Sequence, residues 1–142
     1  MCIRDSKKRL ISAYKQVNIG DPLKKDTLMG PLVNKNAVND FSNAIERAIE
    51  NGGEILYGGA AIDGPGNFVT PTIISAENDW DIVQEETFAP VLYLMKYNSF
   101  DDAIFMHNDV PQGLSSAMFT TNVKNAEEFL SSTGSDLSLI HI

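Results

Sequence analysis

The residues best equipped for chemistry stand together as Gln84-Glu85-Glu86-Thr87-Phe88-Ala89-Pro90, immediately before the apolar run from Val91 to Tyr97. A carboxylate is acceptor-only and can take both hydroxyls of a ribose cis-diol, while a nearby phenyl ring can pack against a flat heteroaromatic ring. A loop of this composition could therefore hold a nucleoside. It could equally be a solvated acidic loop with one core phenylalanine, because carboxylates are mostly exposed.

Other candidates carry less. His107 stands at the end of a helical pattern; its nearest partner, Asp109, lies in a loop, and no second ligand sits at i+4. A histidine favoured by the dipole at a helix C-terminus is the plainer reading. Gly52-Gly53 follows a helix and precedes a strand, the reverse of the order a phosphate cradle needs. Ser115-Ser116 follows Gly113 but has no Gly-x-Ser-x-Gly and no histidine placed as base, so neither serine reads as a nucleophile.

The elements that would position the acidic loop follow from periodicity. Leu10, Ile11, Tyr14 and Val17 share one face of a helix over Lys7 to Val17, which Gly20 and Pro22 stop. Val33, Ala37, Val38, Phe41, Ala44, Ile45, Ala48 and Ile49 form an apolar helical stripe ended by Asn51-Gly52-Gly53. Glu54 to Tyr57 reads as a short strand. Phe68 to Ile74 has β propensity around Pro71, which lacks a ladder donor and predicts an edge or bent strand. Ala76 to Trp80 reads as irregular. Val91 to Tyr97 is the most buried-looking strand; Ser99 and Asp102 open a helix as a capping box, with Ala103, Ile104 and Phe105 inward. Ser115 to Thr121 reads as another strand, and Asn122 caps a helix carrying Ala126, Phe129 and Leu130. Strand, helix, strand, helix from Val91 onward predicts an α/β fold with a mainly parallel sheet flanked by helices.

Charge narrows the partners. With 11 Lys and Arg against 19 Asp and Glu, the net charge is −8, and the cations are scattered. No basic patch exists to displace counterions, so nucleic acid and anionic membrane are disfavoured. No apolar run approaches the roughly 20 residues of a spanning helix, and the N-terminal stretch is too polar for a secretory segment. A cytoplasmic location is the expectation. One cysteine excludes an internal disulfide framework.

The two ends have a nucleotide signature. Met1-Cys2-Ile3-Arg4-Asp5 can be encoded by ATG TGT ATA AGA GAC and residues 137–142 by CTG TCT CTT ATA CAC ATC, which are reverse complements over their shared length. Residues 1–5 and 137–142 are accordingly read as adapter-derived, leaving 6–136 as the coding segment. That trimming removes Cys2 and His141, so no thiol remains, and the segment is expected to be a piece of a longer protein.

Gly30-Pro31-Leu32, Gly66-Asn67-Phe68-Val69-Thr70-Pro71-Thr72, Glu85-Glu86-Thr87-Phe88-Ala89-Pro90-Val91 and Gln112-Gly113-Leu114-Ser115-Ser116-Ala117-Met118-Phe119-Thr120, in this order and spacing, resemble the NAD(P)-dependent aldehyde dehydrogenase superfamily. Phe-Ala-Pro and Gln-Gly-Leu-Ser-Ser make it most similar to the α-aminoadipic semialdehyde dehydrogenase (antiquitin) branch.

The resemblance implies a fragment of a catalytic domain, NAD or NADP as cofactor, a small aldehyde as substrate and a homo-tetramer. It makes Glu86 similar to the glutamate that accepts hydrogen bonds from the nicotinamide ribose, and Phe88 similar to the aromatic beside the nicotinamide ring. Thr87 and Ala89 would shape the turn; Glu85 is read as solvated. The family reaction begins with a cysteine thiolate attacking the aldehyde, and the cysteine, general-base glutamate and oxyanion asparagine lie upstream in such proteins. The segment therefore carries no catalytic residue or metal ligand and is expected to be inactive alone. The competing readings are a free-standing α/β binding module and a truncated pseudoenzyme without redox activity.

Overall fold

In the computed structural model, residues 3–112 and 115–135 are described; they fall into two units divided between Lys96 and Tyr97. The first unit is organised by the amphipathic stripe. Helix α1 covers Ile3–Tyr14, and the stripe forms α2, Lys35–Glu50. The Asn34 side chain accepts the Ala37 amide at 2.9 Å, satisfying one of the donors that the first helical turn leaves free. Ala37, Phe41, Ala44, Ile45 and Ala48 are the buried face, whereas two residues of the sequence stripe are exposed: Val33, which precedes the helix, and Ile49 in its last turn.

Gly52, at φ +95°, turns the chain toward β1, Glu54–Tyr57. β1 pairs antiparallel with β2, Thr72–Ser75, and β2 pairs parallel with β3, Val91–Leu94, in the order β1-β2-β3. The sheet is thus mixed: the α/β class stands, with one parallel and one antiparallel pairing. The strand expected to be an edge or bent strand around Pro71 begins just after the proline and is the middle strand, not an edge. Pro71 needs no ladder donor there, and the first ladder amide is that of Thr72, which donates to the Pro90 carbonyl at 2.8 Å.

β2 is also the buried strand, with Thr72, Ile73 and Ile74 fully covered, while β3 is only half-buried. The apolarity of Val91 to Tyr97 overstated its burial because a middle strand is covered on both edges. The buried Thr72 hydroxyl is satisfied, donating to Thr70 O and accepting the Gly59 amide, both at 2.9 Å. Gly58 makes that approach possible: at φ +75° a Cβ would lie 2.3 Å from Pro71 O.

Between β2 and β3 the chain runs back through a short helix that periodicity did not reveal, α3, Asp81–Gln84. Its Ile82 enters the core with Phe41, Ala44, Ile45, Ala48, Val69 and Ile74. α1 packs on β1, where Tyr14 and Tyr57 meet edge to face at 6.3 Å.

The second unit holds α4, Phe100–Asn108, and α5, Val123–Leu130. The capping box is present: Ser99 Oγ accepts the Asp102 amide at 3.0 Å and Asp102 accepts the Asn98 amide at 2.9 Å. Asn122 caps α5 as expected, its side chain accepting from Asn125. Phe105 is 70% exposed rather than inward. Ser115 to Thr120 form no strand among the described residues, because a strand exists only where a ladder partner lies alongside. Gly113, Leu114 and the tail 137–142 lie outside the described residues, as do the first two residues of the N-terminal tail; its Ile3, Arg4 and Asp5 open α1.

Phe41 carries the largest fully buried side chain of the core. Phe41→Ala should destabilise the chain by about 3–5 kcal/mol, read as a lower urea midpoint. A loss below about 1 kcal/mol would mean that α2 is not packed on this sheet.

Candidate functional site

The acidic loop is fixed at both ends. The Glu85 amide closes the last turn of α3 on Asp81 O at 3.0 Å, and Pro90 O accepts from Thr72 at the start of the parallel ladder. Between these anchors the backbone is tight, with Ala89 N donating to Thr87 O at 2.7 Å and Val91 N to Ala89 O at 2.8 Å. Thr87 and Ala89, the residues expected to shape the turn, supply the two carbonyls that accept these bonds.

Glu85 is not simply solvated. Arg47, in the last turn of α2, forks onto it, Nη1 to Oε2 at 2.5 Å and Nη2 to Oε1 at 2.8 Å. Two parallel charge-assisted bonds hold a carboxylate in one orientation. They also hold the Glu85 carboxyl below its ordinary value, chiefly through hydrogen bonding to Arg47, with partial desolvation opposing and the Arg47 charge adding. The Arg47 guanidinium is raised in turn, first by its bond to Glu85. Tyr93 on β3 lies within reach of both charges; burial raises its phenol, and its buried hydroxyl has no hydrogen-bond partner among the described residues.

The loop and α2 enclose a cleft of about 240 Å³. Asp40, Asn43 and Arg47 form the helix wall, residues Glu85 to Phe88 form the opposite wall, and Ala37, Ala44 and Ile82 line it between them. Glu86 is exposed on this wall, and its carboxylate has no hydrogen bond or ion pair among the described residues. Phe88 is 80% exposed, which removes the core-phenylalanine alternative. The cleft therefore offers an unengaged acceptor beside a bare aromatic face. Such a pair can take a hydroxyl-bearing ring and a flat ring joined to it.

Elsewhere, His107 ends α4 as expected, but it also has a partner: Nε2 is hydrogen-bonded to Ser135 Oγ at 2.9 Å, and Ser135 Oγ lies 2.9 Å from Ser116 Oγ. Its ring stands 5.9 Å from that of Phe129. Among the described residues no three metal-ligating side chains converge.

Sequence reasoning missed Arg47, Asp40 and Asn43. Arg47 lies 38 residues from Glu85, and a lone cation on the rim of a helical stripe gives no sign of its partner. The available signal was its position, one residue before buried Ala48 and hence at the border of the packed face.

A profile described as the aldehyde dehydrogenase family matches residues 2–137. The chain belongs to the aldehyde dehydrogenase family. It is 47% identical over 134 residues to aldehyde dehydrogenase family 7 member B4 of Arabidopsis thaliana, covering 94% of this chain and 26% of the relative. It is 42% identical over 135 residues to the α-aminoadipic semialdehyde dehydrogenase of Bos taurus, covering 94% of this chain and 25% of that one. Among solved structures, the succinic semialdehyde dehydrogenase of Streptococcus pyogenes, in complex with NADP+, superposes with a TM-score of 0.81 at 37% identity, covering 87% of this chain and 28% of that chain. The chain thus spans about a quarter of the length of the aldehyde dehydrogenases it matches, and the family-7 resemblance read from its motifs is shown.

The ion pair makes a pH prediction. Because the Glu85 carboxyl is depressed in the folded chain, the pair's contribution is present above the ordinary carboxylate range and is lost as pH falls through the depressed value. Carboxyl-carbon NMR should give Glu85 a midpoint below its ordinary 4.5, and Arg47→Ala should move it up toward that value. A Glu85 midpoint that Arg47→Ala does not move would show that the fork is not formed in solution.

Proposed function

We propose that residues 6–136 are a segment of the catalytic domain of an NAD-linked aldehyde dehydrogenase, NADP being the alternative cofactor, and that Glu86 and Phe88 position the nicotinamide end of that cofactor. One observation carries the reading: Glu86 and Phe88, the residues singled out by motif, line one cleft with the acceptor unengaged and the ring exposed. The lining suits the group, since the hydroxyls of a neutral ribose diol need acceptors and a nicotinamide ring needs a flat apolar neighbour. The bound cofactor supplies the hydride acceptor for aldehyde oxidation.

The chain's own part is binding and orientation. Glu86 accepts hydrogen bonds from the ribose hydroxyls and fixes the sugar. Phe88 covers one face of the adjoining ring and limits its swing. Holding the ring in a near-attack position is worth several kcal/mol in reactions of this type, because orientation is settled before the chemical step.

The aldehyde itself, with α-aminoadipic semialdehyde favoured by the family-7 relatives, is recognised by residues outside this segment. The same reading assigns a homo-oligomer, a tetramer by family resemblance, and a cytoplasmic location. It also assigns no turnover to the segment alone, since 6–136 contains no thiol to form the covalent adduct that donates hydride. Mixing the purified chain with NAD and α-aminoadipic semialdehyde should give no rise in NADH absorbance; a cofactor-dependent rise would overturn that part.

In a full-length enzyme carrying this segment, Glu86→Gln should weaken cofactor binding by about ten- to a hundredfold, the range expected when a hydrogen bond to a charged group is lost. The thermal unfolding midpoint should stay in place, because the side chain is exposed. Unchanged cofactor affinity and turnover in Glu86→Gln would refute the assignment.

A further inference from the structure

Two carboxylates stand side by side at the cleft, and a ligand hydroxyl could be claimed by either. Adjacent Cα atoms are only about 3.8 Å apart, so the chain needs a means of deciding which one faces the ligand. Arg47 makes both of its hydrogen bonds to Glu85, and Glu86 has none among the described residues. We infer that Arg47 is a positioning residue which occupies and neutralises Glu85, so that Glu86 alone presents its carboxylate to the cleft and the Thr87-Phe88 segment is held against α2. This rests on the reading of Glu86 as a ribose acceptor, and extends it to how the acceptor is selected and aimed.

The geometry supports a positioning role over a stabilising one. Exposed ion pairs contribute little to folding, since solvent screens them and two long side chains must be ordered. A bidentate fork is different in what it fixes: the guanidinium plane and the carboxylate plane are locked together, so the direction of the Glu85 side chain, and with it the local backbone, is set. Arg47 sits on the rigid packed helix, directly before buried Ala48, and not on a loop. The loop's other hydrogen-bonded ties are at its ends, Gln84 and Glu85 to Asn78, Trp80 and Asp81, and Pro90 to Thr72; the fork is the tie reaching across the cleft. Without it, Glu85 would be a second free anion beside Glu86, with Asp40 on the facing helix wall.

The test uses a full-length enzyme carrying this segment. Arg47→Ala should raise the KM for NAD about tenfold, in line with the cost of a small misplacement, and Glu85→Ala should do the same. The double variant should be no worse than either single one, because both remove one interaction. Arg47→Lys, which keeps the charge but loses the fork, should fall between wild type and Arg47→Ala; it also serves if Arg47→Ala fails to fold. Amide exchange at Ala89, whose N–H bonds Thr87 O, should quicken in each variant.

A purely structural role would lower the unfolding midpoint while leaving KM for NAD in place, and that result overturns the proposal. Glu86→Gln, measured alongside, separates the two claims. If it raises KM and Arg47→Ala does not, the positioning role fails and the ribose reading stands. If Glu86→Gln is silent, the ribose reading fails, and with it the selection of a ligand acceptor by Arg47, whatever the exchange rates show.

Discussion

Two strands that run parallel cannot be joined by a tight turn, so the chain leaving β2 has to travel back along the sheet before it can enter β3. That requirement creates the site. The return path from Ala76 to Pro90 is long enough for a single turn of helix, and Ile82 on that turn plugs the core beside Phe41 and Ala44. The remaining residues must then reach Val91 in a few steps, and they do so across the outer edge of α2. The acidic loop is thus the last stretch of a crossover, held at one end by a buried isoleucine and at the other by the Thr72 amide on Pro90.

The packing and the chemistry divide along the same helix. One face of α2 is sealed against β2 and α3 by Ala37, Phe41, Ala44, Ile45 and Ala48; its neighbouring border carries Asp40, Asn43 and Arg47 into the cleft. A rigid helix therefore supplies one wall and a tethered loop the other. Such an arrangement can hold an acceptor to a fraction of an ångström, which is what a ligand-orienting carboxylate requires. The aromatic ring on the loop is exposed although burial of a phenylalanine is worth about 1.5–3 kcal/mol. Its exposure has a cost, consistent with the proposed use of that face by a ligand.

Much of this was legible in the residues. The Val33-to-Ile49 stripe, apart from its two exposed ends, its glycine exit, the Glu54–Tyr57 strand and the Ser99 cap all follow local rules of spacing and capping, and they form where those rules put them. The acidic loop and its proline were visible as a group before any partner was known. What failed was whatever depends on the neighbours. β2 was taken for an edge or bent strand because Pro71 lacks a donor, yet the proline falls one residue outside the ladder. β3 was taken for the most buried strand because it is apolar, but burial is decided by what lies on each side. Phe105 was taken as inward on spacing alone and is exposed. The Arg47–Glu85 fork joins residues 38 apart, and no local pattern encodes it.

The central claim is spatial: that the loop wall carrying Glu86 and Phe88 is the surface against which the nicotinamide end of the cofactor lies. The most direct measurement is a crystal structure of a full-length enzyme carrying this segment, grown with NAD. The account predicts both ribose hydroxyls of the nicotinamide half within hydrogen-bonding distance of the Glu86 carboxylate, the Phe88 ring against the nicotinamide, and Arg47 on Glu85. A dinucleotide bound with its nicotinamide ribose away from this cleft, or held there by Glu85 with Glu86 turned to solvent, would contradict it.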